Sequence, residues 1–77
     1  LMDGKIEFIE FKVDEKDSNL NVPLKDLKMK QNMLIGCIIR DYVTIIPRGD
    51  DVIKSGDTVL VAVINRQIAR LEDIFAS

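Results

Sequence analysis

The run from Ile45 to Val63, Ile-Ile-Pro-Arg-Gly-Asp-Asp-Val-Ile-Lys-Ser-Gly-Asp-Thr-Val-Leu-Val-Ala-Val, constrains this chain more than any other segment. The β-branched residues Val43 to Ile46 favour a strand, and Pro47 and Gly49 stop it. Val52 and Ile53 are a brief apolar return, and Ser55-Gly56-Asp57 is a second turn. Thr58 to Ile64 then reads as a strand of the buried type. Nothing in this run is equipped for covalent chemistry. It commits the chain to a small β-rich scaffold.

The remaining elements follow from periodicity and turn residues. Lys5 to Val13 reads as the first strand, with Ile6 and Phe8 on one face and Ile9, Phe11 and Val13 on the other. That phase shift at Phe8-Ile9 predicts either a bulge or a strand covered on both sides. Asp14 to Asn19 is a polar loop. Asn21 as a cap and Pro23 near the first helical position predict a helix of at most about two turns, carrying Leu24 and Leu27. Met33 to Ile39 is the most apolar strand, and its unbroken apolar character predicts cover on both faces. Arg40-Asp41-Tyr42 turns it into the strand at Val43 as a hairpin. Asn65 is the expected cap of a C-terminal helix from about Arg66, with Ile68, Leu71, Ile74 and Phe75 as its apolar stripe. The predicted fold class is α+β: a β-α-β-β-β-α domain with a mixed, mostly antiparallel sheet and two helices packed on one side.

Seventy-seven residues make one domain near the lower limit of independent folding. A core of this size seldom supplies more than roughly 3–5 kcal/mol without a staple. Cys37 is the sole cysteine, so no intrachain disulfide can form, and pairing with a second copy is the expected source of extra stability. One thiol fits a reducing compartment. Eleven basic against thirteen acidic residues, net −2, argue against a nucleic-acid partner. The longest apolar runs, Met33 to Ile39 and Thr58 to Ile64, are too short to cross a bilayer, so direct membrane insertion is not expected. Leu1 to Val13 has no signal-peptide pattern.

Candidate chemistry is sparse. Asp50, Asp51 and Asp57 are close enough in sequence to suggest a divalent cation, but they lack the alternating ligand spacing of a calcium loop and suit the turns they occupy. No metal site is expected. Cys37 lies mid-strand in a chain without histidine, so its thiolate has no activating base and an inert core position is expected. No serine or threonine has an activating partner, and no catalytic residue is assigned. The chain reads as a non-enzyme.

Several segments in order, Val22-Pro23-Leu24-Lys25-Asp26-Leu27, Met33 to Arg40, Val43 to Pro47, Gly49 to Ile53 and Ser55 to Val61, resemble the TrkA-C (RCK-C) domain, the C-terminal regulatory domain of Trk-type potassium-uptake peripheral subunits. The resemblance covers most of Val22 to Ile64. It implies residues 1–4 as a linker remnant and 5–77 as the regulatory domain, following a Rossmann-type nucleotide-binding domain of the same polypeptide. No Gly-x-Gly-x-x-Gly pattern occurs here, so no cofactor is expected in these residues and any nucleotide belongs upstream.

What the resemblance implies is a cytoplasmic homodimer, held at the inner face of the cell membrane by a potassium transporter subunit. Its role would be to couple the state of the nucleotide-binding domain to potassium transport. The residues it assigns to the dimer interface or a ligand groove are Leu34, Ile35, Cys37, Ile38, Ile39, Arg40, Ile45, Ile46, Pro47 and Arg48. Two other roles remain open: a sensor of cyclic di-AMP or a cation in the groove between two copies, and a structural adaptor without sensing. Relatives that bind cyclic di-AMP present an Asn and basic side chains from the strand equivalent to Met33–Ile39. This chain has Met33, Ile38 and Ile39 there, leaving only Arg40 and Arg48 as phosphate partners. Cyclic di-AMP binding is therefore not expected.

Overall fold

Alternating and β-branched runs form four strands, β1 (Ile6–Lys12), β2 (Met33–Arg40), β3 (Val43–Ile45) and β4 (Thr58–Ile64). A computed structural model describes residues 5–76; the linker remnant expected at 1–4 lies outside the described residues. The strands form one sheet in the order β1-β4-β2-β3, and every pairing is antiparallel rather than mixed. β1 pairs with β4 without interruption from Ile6↔Ile64 to Lys12↔Thr58. The phase shift at Phe8-Ile9 is therefore a strand apolar on both faces, not a bulge. A bulge does occur in β2, where the register on β4 shifts between Ile35 and Cys37, leaving Gly36 as the extra residue.

One face of the sheet carries the core. Val59, Val61 and Val63 of β4 and Ile35 and Ile38 of β2 are buried there with Val13, Ile53, Leu71, Ile74 and Phe75. Leu20, Leu24, Leu27, Met29 and Ile68 pack around them half-exposed.

The covering layer is not the expected pair of helices. The described residues form single 3-10 turns instead, Leu24–Asp26 and Leu71–Ile74. The first turn ends at once because Leu27 is extended, at φ −98° and ψ 138°. Groups that a longer helix would use internally are engaged elsewhere: the Lys30 amide donates to the Ile74 carbonyl (2.8 Å), and the Lys28 carbonyl accepts from the Ala76 amide (2.8 Å). Across the layer, the Asn21, Leu24 and Lys25 amides donate to the carbonyls of Ile53, Asp51 and Gly49.

At the C-terminus Asn65 takes a left-handed φ of 56° and ends β4 instead of capping a helix. The Asp73 carboxylate accepts from the amides of Ala69 (2.9 Å) and Arg70 (3.0 Å), which nucleates a short turn later in the chain. The residues expected to be buried are still delivered: Leu71, Ile74 and Phe75 are in the core, and Phe75 bridges to Met29. A spacing of three residues serves a 3-10 turn as well as a helix.

Candidate functional site: the uncovered sheet face

In an antiparallel sheet, directly opposed residues share a face, so the register assigns the other side of this one. β1 contributes Ile6, Phe8, Glu10 and Lys12, opposite Ile64, Ala62, Leu60 and Thr58 of β4. β2 contributes Leu34, Cys37 and Ile39, opposite Ala62, Leu60 and Thr58, and Thr44 of β3 lies beside Ile39. No described element covers this side. Phe8 is 69% exposed and Leu34 64%, and Ile6 and Ile64 are exposed as well. With Ala62 and Asn32, these four line an apolar hollow of about 350 Å³ at one end of the face. Contiguous apolar surface of this kind marks an interaction site more often than a solvated surface does.

At the other end stands the β2–β3 hairpin. Arg40↔Val43 is its last pair, so Asp41 and Tyr42 are a two-residue loop. Both are left-handed, at φ 51° and 67°. Such a loop favours Asp followed by Gly; a tyrosine in the second position costs on the order of 1 kcal/mol. The Tyr42 side chain is fully exposed and borders the open-face residues Lys12, Ile39 and Thr58.

The residues assigned to one seam divide among several places. Leu34, Cys37 and Ile39 lie on the open face. Ile35 and Ile38 point into the core, with Ile38 0% exposed, because the bulge turns both inward. Ile45 lies opposite Ile38, on the core side and half-buried. Ile46 is exposed just past β3, Pro47 is half-buried, and Arg48 is exposed, its amide donating to the Asp51 carboxylate (2.7 Å). Cys37 is half-buried on the open face rather than in the core. Ile6, Phe8, Leu60, Ala62 and Ile64 complete the face; the apolar Ile6–Phe8 side of the first strand was the signal for part of it.

Arg40 takes no part in the open face. Its Nε and one terminal nitrogen donate to the two carboxylate oxygens of Asp57, both at 2.9 Å, and that nitrogen also reaches the Val52 carbonyl (2.8 Å). Asp57, 1% exposed, further accepts from the Lys54 amide (2.8 Å). Burial alone would push the Asp57 carboxyl up, but the Arg40 guanidinium and the Lys54 amide together hold it below its usual value. The Arg40 guanidinium is correspondingly raised, chiefly by its bond to Asp57. This fork-on-fork pair ties the end of β2 to the turn before β4.

The other acidic candidates have turn or surface roles. Asp51 caps its own turn through Arg48, and Asp50 meets Lys25 at 2.8 Å in an exposed pair of little energetic weight. Among the described residues no group of three or more His, Cys, Asp or Glu is placed to hold a metal ion. No helix among them is long and apolar enough to cross a membrane.

Comparison with known proteins agrees with the resemblance in the sequence. The family model of the TrkA-C domain matches residues 8–76. A Trk system potassium uptake protein TrkA of Azorhizobium caulinodans is 33% identical over 75 residues, 97% of this chain and 16% of that protein. A TrkA homolog of Archaeoglobus fulgidus is 36% identical over 72 residues, 94% of this chain and 16% of its own length. A TrkA homolog of Methanosarcina mazei is 32% identical over 71 residues, 92% of this chain and 16% of that protein. The chain thus spans about one sixth of the curated relatives it matches.

Proposed function

The chain belongs to the TrkA-C domain family, and from that membership we propose that it is the regulatory module of a potassium-uptake protein and works as a pair of identical copies. The observation that carries the pairing is the uncovered sheet face. Four strands at about 4.8 Å and seven residues at about 3.3 Å give a projected face of roughly 400 Å². Once side-chain relief is added, this approaches the ~600–1,000 Å² per partner of a stable interface. Leaving Phe8 and Leu34 in water would sacrifice burial that a chain of this size can hardly spare.

In this reading the paired domains form a joint between two longer polypeptides. A change in a neighbouring nucleotide-binding domain shifts the arrangement of the joint, and a cytoplasmic pair transmits the shift to a potassium transporter at the membrane. The module itself is regulatory rather than catalytic and carries no cofactor of its own. The engagement of Arg40 with Asp57 weighs against cyclic di-AMP, because it removes one of the two phosphate partners available.

Sedimentation velocity across micromolar concentrations tests the pairing: a monomer–dimer equilibrium is expected. The substitution Leu34→Lys should give a folded monomer. A wild-type chain that stays monomeric throughout with full stability would remove the proposal.

A further inference from the structure

We infer that the pair is assembled end over end, with Tyr42 of each copy seated in the apolar hollow of the other; this rests on the pairing proposed above. Two features at opposite ends of one face point to it. Tyr42 occupies a left-handed position where glycine is the relaxed choice, and it returns no intramolecular packing, since its side chain is fully exposed. Neither local conformation nor the core of its own subunit accounts for it. An aromatic ring on a pre-organised tip is instead well suited to anchor an interface, because little freedom is lost on docking. The tip is pre-organised by the adjacent Arg40, whose guanidinium is fixed to Asp57 and Val52.

The receiving feature is the hollow formed by Ile6, Phe8, Leu34, Ala62 and Ile64, whose volume of about 350 Å³ admits a phenol ring. Asn32 also lines it, the one polar residue there, and offers hydrogen-bonding groups to the phenol hydroxyl, which seeks a partner when buried. Leu34 and Arg40 lie six positions apart in β2, so knob and hollow are separated by about 20 Å and cannot meet within one subunit. A second copy turned end for end brings each tip over the other's hollow, which closes both contacts by one two-fold operation and leaves no open-ended chain of subunits. The occupant is thus a second copy of this chain.

Cross-linking distinguishes this arrangement from any other dimer. In a Cys37→Ser background, single-cysteine variants Leu34→Cys and Tyr42→Cys are mixed in equal amounts and joined with a short thiol cross-linker. Predominance of the mixed 34–42 species is expected. Predominance of 34–34 or 42–42 species overturns the end-over-end arrangement while leaving the pairing intact. In parallel, Tyr42→Gly should weaken dimerisation at least tenfold without lowering the unfolding midpoint of the dilute monomer, since glycine suits that turn. An unchanged dimer affinity also overturns the inference. A chain that is monomeric at every concentration overturns the pairing as well.

Discussion

Asp57 is a buried carboxylate whose bonding capacity is used by Arg40 and by the Lys54 amide. Removing its charge leaves the Arg40 guanidinium, itself only partly exposed, without its counter-ion. Asp57→Asn is therefore expected to cost about 2 kcal/mol, read as a lower urea midpoint with an unchanged slope. The pH dependence follows from the same pair. A carboxyl held below its unfolded value of about 3.9 contributes stability above that value and loses it as pH falls through the folded one. Thermal stability attributable to this pair should be flat from pH 7 to about 5 and decline below about 4. The decline should be shallower in Asp57→Asn, and an equal acid loss in both proteins would show that other carboxylates dominate. This pairing was not legible in the sequence, where Asp57 reads as one more turn residue and Arg40 as the start of the hairpin turn and a groove residue.

At the scale of elements, strands were legible and helices were not, for a physical reason. The strands expected at Lys5 to Val13, Val43 to Ile46 and Thr58 to Ile64 correspond to β1, β3 and β4, the first two trimmed at their ends. Apolar spacing of three and four residues does not separate a helix from a 3-10 turn flanked by extended chain. The choice depends on where amides such as Lys30 find acceptors across the molecule. The C-terminal turn is held in place by burial all the same. Ile74 is 0% exposed, and Ile74→Ala should cost roughly 2–4 kcal/mol in chemical denaturation. Asp73→Ala should instead release the Ala69 and Arg70 amides, measured as faster hydrogen exchange there with the sheet unaffected.

For the whole molecule, the sheet divides residues whose loss unfolds the chain from residues whose loss would dissociate a pair. Ile38→Asp places a charge in the core and should abolish folding at any concentration, whereas Phe8→Ser on the open face should preserve the far-ultraviolet spectrum and weaken self-association. A sequence reading could identify β2 as greasy on both sides. It could not assign each residue to a side, because the extra residue at Gly36 is invisible to periodicity. That single insertion has a wider reach than its size suggests. Downstream of it, even-numbered positions look inward, and only this parity aims the guanidinium at position 40 toward Asp57. Were Gly36 paired in a regular ladder instead of bulged out, the strand would run out of step from there to the hairpin, exchanging Ile38 for Cys37 beneath the sheet and stranding a carboxylate in grease. The bulge, as much as composition, thus decides which side chains this strand buries.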